Sequence, residues 1–190
     1  MKLDEFATRV LDAADAAGID FMVVGAIAAG AYGVPRSTKD IDLLVAVHAG
    51  QELDLLRRHL SDVVVFDPQV MFDTLTWGRR HVAESTGSPP YRLEVFEVFD
   101  DPFVHEEFSR RRRVFVPMLA RATWLPTAED VVVQKLRWGR GKDLDDARDV
   151  LAVQGPESLD MDYIRGWCLQ HGTVERLTAA LQSTPPSRHN

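Results

Sequence analysis

The chain of 190 residues has a single cysteine, Cys168. One thiol excludes an internal disulfide and a cysteine-rich zinc site, and it suits a reducing, cytoplasmic setting. Long apolar runs are also missing: nothing approaches the roughly 20 residues that a bilayer-spanning helix needs, so no membrane role is expected. The opening Met1-Lys2-Leu3-Asp4-Glu5 is acidic and has no apolar core segment, so no signal peptide is expected. Positive charge is scarce, with 22 Lys and Arg against 29 Asp and Glu, a net charge of −7 and a pI near 5.3. A dedicated nucleic-acid binder would be basic, although an acidic enzyme can still meet RNA through a local basic patch. Internal repeats, Walker-type phosphate loops, Gly-x-Gly-x-x-Gly and Gly-x-Ser-x-Gly are all missing. The six histidines have no metal-ligand spacing and, like Cys168, read as ordinary core or surface residues.

What is present suits one domain, or a core domain with a small helical appendage: 21.3 kDa with 45% hydrophobic residues. Apolar spacing predicts a helix over 3–17, stopped by Gly18, then a short buried strand over 21–24. Gly25 breaks that strand and a small-residue helix follows over 26–32, stopped by Gly33-Val34-Pro35. A strand over 40–47, a helix over 51–60 and a strand over 63–66 come next. The weak pattern over 69–78 is read as a helical turn around Val70, Met71 and Phe72. A short strand over 79–82, a loop over 84–90 and a strand over 91–99 follow. Asp101-Pro102-Phe103 opens a helix expected to run to about Arg112, and 114–116 is a last short strand closed by Pro117. Up to six strands with several helices predict a mixed α/β (α+β) domain. Downstream, Thr127-x-x-Asp130 is a capping box for a helix ended by Gly139-Arg140-Gly141-Lys142. Another helix starts near Asp143, two more span 161–170 and 174–181, and 183–190 is expected to be a disordered tail.

Chemistry concentrates where Arg36-Ser37-Thr38-Lys39-Asp40-Ile41-Asp42 leads into an apolar strand. Side chains at i and i+2 leave a strand on the same face, within about 7 Å. Two carboxylates so placed repel unless a cation lies between them, and Mg2+ with its oxygen ligands is the usual answer. The helix N-terminus after Gly25 could receive phosphate oxygens. A third carboxylate is sought on the strand over 91–99, where Glu94 and Glu97 lie on opposite faces, so at most one can aim at the metal. The run Arg110-Arg111-Arg112-Arg113 reads either as a solvated helix end or as a clamp for phosphates of an RNA or nucleotide acceptor. Lys135 sits on an apolar helix side, and Asp143 and Asp145 suit the first turn of the next helix.

The spacing from Gly25-Ala26 to Asp40-Ile41-Asp42 resembles the signature of the nucleotidyltransferase (DNA polymerase β-like) superfamily. The string from Pro35 to Leu44, with the Lys135-to-Asp146 segment, is similar to small bacterial members of the AbiEii-type, minimal group linked to toxin–antitoxin systems. The resemblance implies a nucleotidyltransferase core over 1–120 and a C-terminal helical subdomain over 121–182. It implies transfer of a nucleoside monophosphate from a nucleoside triphosphate such as ATP to a hydroxyl of a tRNA, protein or small-molecule acceptor. Two Mg2+ ions would be held by Asp40, Asp42 and Glu94, with Glu97 the alternative third ligand. Gly25, Ala26, Arg36, Thr38, Lys39 and Lys135 would hold the nucleotide, and Arg140, Asp143 and Asp146 would line the cleft as secondary groups. A cognate antitoxin protein is an implied partner. Ala26 stands where many members have Ser, which motivates two alternatives: a catalytically silent nucleotide- or partner-binding relative, and an antibiotic nucleotidyltransferase.

Overall fold

The computed structural model describes residues 1–48, 50–73, 78–88 and 90–183. The tail predicted over 183–190 lies outside the described residues from position 184 on. The chain divides into two units, Met1–Gly25 with Ser37–Leu125, and Ala26–Arg36 with Pro126–Asn190. No helix among the described residues is long and apolar enough to cross a membrane.

The first unit is built on a six-stranded sheet. Helix α1 (Leu3–Ala16) leads into β1 (Asp20–Val23), and β2 (Asp40–Ala46) pairs antiparallel with it. After α3 (Gln51–His59) come β3 (Val64–Phe66), β4 (Met71–Asp73), β5 (Gly78–Ser85) and β6 (Arg92–Glu97). Between β1 and β2, α2 (Gly25–Tyr32) belongs mostly to the second unit. The strand order is β1-β2-β6-β5-β3, with β4 also pairing with β5; β2 and β6 run parallel and the other pairings are antiparallel. Alternation along β2 divides its two faces. Ile41, Leu43 and Val45 are fully buried with Leu93 and Val95 of β6 on one face. On the other, Leu44 joins Met22 of β1 and Phe96 of β6 in a cluster with Val104 and Phe108 of α4 (Pro102–Ser109). Helix α4 thus closes the C-terminal half of that face. Asp40 and Asp42 occupy the N-terminal half.

Three local predictions give way here. The residues around Val70 to Phe72 are not a helical turn: Met71–Asp73 is the strand β4, because its backbone pairs with Gly78–Arg80 of β5. The predicted loop over 84–90 begins later, since β5 pairs with β3 up to Ser85. Helix α4 ends at Ser109, short of Arg112. Asp101 caps it, its carboxylate accepting from the N–H groups of Phe103 (3.0 Å) and Val104 (3.1 Å). Arg112 and Arg113 instead start β7 (Arg112–Val116), which forms a hairpin with β8 (Arg121–Leu125), a strand not foreseen. The described strands therefore number eight.

The second unit contains most of α2 (Gly25–Tyr32) and four further helices, α5 (Ala128–Trp138), α6 (Gly141–Gln154), α7 (Met161–His171) and α8 (Val174–Ser183). The capping box is present: the Thr127 hydroxyl accepts from the Asp130 N–H (3.3 Å), and the Asp130 carboxylate accepts from the Thr127 N–H (3.3 Å). Tyr163 of α7 also donates its hydroxyl to the fully buried Asp130. Tyr32 ties α2 into this unit, donating to the Pro126 carbonyl (2.8 Å) while its own carbonyl accepts from Gln154 (2.6 Å). Gly33 is needed where α2 ends on α6, because a Cβ there would lie 2.9 Å from the Val150 nitrogen.

Candidate active site

In the parallel pairing of β2 with β6, Asp42 stands opposite Glu94 and Asp40 opposite Arg92. Register partners in a sheet share a face, so Asp40, Asp42 and Glu94 gather on one side at the N-terminal ends of two adjacent strands. Glu97 pairs in register with Val45 and lies on the other face. Its carboxylate accepts from His81 Nε2 at 2.7 Å, and His81 Nδ1 accepts from an Arg57 nitrogen at 3.1 Å. His81 is only 6% exposed. Glu97 therefore belongs to a half-buried Arg57–His81–Glu97 row, away from the paired aspartates.

Glu94 has two basic neighbours on its own face. Arg80 of β5 lies 3.4 Å from Oε2 and Arg92 lies 3.7 Å from Oε1. Neither partner was foreseen: Arg80 is two positions along β5 from the Val82–Glu94 rung, and only the strand register brings it there.

Gly25 fixes the approach of the first turn to Asp42. Its φ is +66°, a conformation that L side chains rarely adopt. A Cβ placed there would stand 1.9 Å from Asp42 Oδ2. The Val24 N–H also donates to the Asp42 carbonyl at 2.9 Å, so β1 hands the chain over to the turn directly beside the carboxylate. A Gly25→Ala variant combines left-handed strain with this clash. It should lose about 2–4 kcal/mol of stability or push Asp42 off its position, and thermal melting with the activity assay below would register one or both.

On the segment leading into β2, the Asp40 N–H donates to the Thr38 hydroxyl at 3.1 Å, and the Lys39 carbonyl accepts from the Arg92 N–H at 2.9 Å. The Lys39 side chain is exposed. Ala26 is buried.

Cations and aspartates of the second unit form a network with a buried centre. Lys135 is 3% exposed, Asp143 fully buried and Asp146 6% exposed. Lys135 Nζ donates to Asp146 (2.7 Å) and to Asp143 (3.2 Å). Arg36 grips Asp146 with two nitrogens, at 2.9 and 3.3 Å, and Arg140 grips Asp143 in the same way. Burial pushes the Asp146 carboxyl up, but the hydrogen bonds and charges of Arg36 and Lys135 outweigh it and hold the group below its ordinary value. Trp138 roofs the network, 5.5 Å from Lys135 Nζ and 5.1 Å from the Arg140 guanidinium carbon. Arg36, Lys135, Asp143 and Asp146 were named as candidates from separate strings of sequence. The structure brings them into one cluster.

An all-oxygen donor set is the chemistry that a hard divalent cation takes, and Asp40, Asp42 and Glu94 offer carboxylate oxygens only on their shared face. Among the described residues, no three His, Cys, Asp or Glu side chains already converge in metal-binding geometry. Binding would draw Glu94 from Arg80 and Arg92.

No family model and no curated protein matches the chain. Solved structures do. A crystal structure of ANT(2'')-Ia in complex with adenylyl-2''-tobramycin aligns over 88% of this chain and 98% of that one, with a TM-score of 0.63 at 15% identity. A solution structure of the same antibiotic-resistance factor aligns over 94% of each chain with a TM-score of 0.60, also at 15% identity. An antigenic nucleotidyltransferase-like protein from Paracoccidioides brasiliensis aligns over 94% of this chain and 92% of that one, with a TM-score of 0.56 at 18% identity. At such identities the likeness concerns the fold, and the fold is that of the nucleotidyltransferases.

Proposed function

We propose that the chain is a Mg2+-dependent nucleotidyltransferase, which moves a nucleoside monophosphate from a nucleoside triphosphate to an acceptor hydroxyl. The observation that carries this reading is the register of Asp42 against Glu94, with Asp40 on the same face and Gly25 against the Asp42 carboxylate. Asp40, Asp42 and Glu94 would hold the metal, two ions in the arrangement the resemblance implies. When bound, Mg2+ supplies charge neutralisation for the triphosphate and for the oxygens exchanged at phosphorus. Glu94 is the group assigned to take up the proton of the acceptor hydroxyl at a carboxylate oxygen. The segment from Arg36 to Lys39 is assigned to the phosphates, with the backbone N–H groups after Gly25 helping. Lys135 is assigned a supporting part through its hold on Asp146, the carboxylate that Arg36 grips. Membership of the AbiEii-type group, with a toxin role and an antitoxin partner, rests on the Pro35-to-Asp42 and Lys135-to-Asp146 strings. An aminoglycoside acceptor is supported by the likeness to ANT(2'')-Ia.

A second reading, a silent nucleotide-binding relative, is favoured by Ala26 in the place of Ser and by the two arginines already beside Glu94. Label transfer separates the two. The protein is incubated with each labelled nucleoside triphosphate, with and without Mg2+, in the presence of total RNA or of aminoglycosides. Metal-dependent transfer from one nucleotide supports the enzyme and shows its acceptor class. Metal-dependent binding with no label on any acceptor would overturn it in favour of the silent relative.

A further inference from the structure

A row of register partners crosses one face of the sheet in the first unit. Met22 of β1 stands opposite Leu44 of β2, Leu44 opposite Phe96 of β6, Phe96 opposite Arg80 of β5, and Arg80 opposite Met71 of β4. Met22, Leu44 and Phe96 are buried in one apolar cluster. Arg80 is the one charged member of the row. Its side chain is 25% exposed, and its Nε is buried without a hydrogen-bond partner among the described residues. Nη2 meets the Met71 sulfur at 3.8 Å, a weak acceptor. A leucine here would extend the apolar row without desolvating a charge, so packing alone gives no reason for an arginine.

The reason lies in the next row, where Asp42, Glu94 and Val82 stand in register. Arg80 Nη1 reaches diagonally to Glu94 Oε2 at 3.4 Å, and Glu94 is the one carboxylate it pairs with among the described residues. Arg92 serves Glu94 less closely. It lies 3.7 Å from Oε1, is 48% exposed, and is shared with Glu84 at 3.4 Å. Of the two arginines beside Glu94, Arg80 is therefore the less solvated and the less divided.

We propose that Arg80 is a positioning residue for Glu94, and that its fixed charge sets how tightly Asp40, Asp42 and Glu94 take a divalent cation. Three carboxylates gathered on one face repel one another. Arg80 offsets part of that repulsion and holds Glu94 in place. Its stem lies between Phe96 and Met71, its register partners on either side, so the guanidinium does not leave when Glu94 turns to a cation. Giving up Glu94 leaves a poorly solvated charge without its carboxylate, which opposes binding. The proposal rests on the nucleotidyl-transfer reading for the role of the three carboxylates.

The test counts free Mn2+, a stand-in for Mg2+ on oxygen ligands, by electron paramagnetic resonance with the full chain and no nucleotide. Arg80→Gln should bind Mn2+ at least about fivefold more tightly than wild type. Arg80→Lys keeps the charge and should stay within about twofold of wild type, as should Arg92→Gln, whose charge is screened by solvent. A purely structural role would lower the melting temperature of Arg80→Gln without tightening Mn2+ binding. Should Arg80→Gln not fold, 15N spectra of the wild type give a second reading. The Arg80 Nε–H signal, identified by its absence from Arg80→Lys, should shift as Mg2+ is added. Mn2+ bound equally or more weakly by Arg80→Gln, equal tightening by Arg92→Gln, or an Nε–H signal unmoved by bound Mg2+ would overturn the proposal and leave the metal site standing. No Mn2+ bound by wild type or any variant would overturn the metal site of the proposed function, and this inference with it.

Discussion

Asp42→Asn should lower nucleotidyl transfer by about a thousandfold or more, and move the melting temperature little. The two halves of this expectation have one cause. Asp42 shares a sheet face with Asp40 and stands in register with Glu94. In the absence of a cation, like charges so placed repel one another. Neutralising one relieves part of that repulsion, which offsets the contacts the carboxylate loses. The same change removes a metal ligand, and a metal clamp contributes several kcal/mol of transition-state stabilisation, each 1.36 kcal/mol being a factor of ten. Asp40→Asn should behave alike. The more telling comparison is between the two glutamates. Glu94→Gln should cost activity, and some stability as well through its contacts with Arg80 and Arg92. Glu97→Gln should cost stability, through its half-buried contact with His81, and little activity. If Asp42→Asn retains activity within tenfold of wild type, or if Glu97→Gln is the inactive variant, the assignment of this face is wrong.

The contrast between Glu94 and Glu97 also shows how far the sequence could be read. Alternation alone placed the two residues on opposite faces, and the spacing of Asp40 and Asp42 announced a shared one. Which glutamate joined the aspartates depended on the pairing of β2 with β6, a register between positions 52 residues apart that no local pattern encodes. Strand β2 was legible because its apolar residues alternate with acids at one end. Strand β4 was not: three residues are too short for a period to show, and Met71–Asp73 is a strand only because β5 runs beside it. Strand β8 hid for another reason. Its exposed Trp124 and buried Thr123 reverse the polarity that alternation arguments rely on. The arginine run misled in a similar way, since four consecutive cations look like a solvated helix end and two of them begin a strand. The clustering of Arg36 with Asp146, 110 positions away, is likewise a tertiary fact.

That cluster supplies the largest expected effect on stability. Lys135→Met should destabilise the protein by about 3 kcal/mol, as in other buried ion pairs from which one partner is removed. The ammonium is 3% exposed and lies between two carboxylates, of which one is fully buried and the other 6% exposed. Methionine matches the stem in volume, so the loss reflects charge left without its partner rather than a cavity. Arg36 and Arg140 remain as partial partners, which keeps the expected cost at the low end for such pairs. Arg140→Ala should cost no more than about 1 kcal/mol, because that side chain is half exposed and screened by solvent. The pH dependence gives the sign. Wild-type Asp146 titrates below its ordinary value of 3.8 in the folded state, so its ionised form stabilises the fold above that value, and the benefit is lost as pH falls through the lower folded value. Without Lys135, burial acts on Asp146 against Arg36 alone and its carboxyl moves up. The gap between wild type and Lys135→Met, measured by urea denaturation, should then be widest near neutral pH and narrow in acid. Asp146→Asn introduced into the Lys135→Met background should recover part of the loss, a coupling that a double-mutant cycle measures directly. A gap that stays constant from neutral pH into acid, or a second substitution that adds to the loss in full, would mean that Lys135 stabilises the helices by packing and not by its charge.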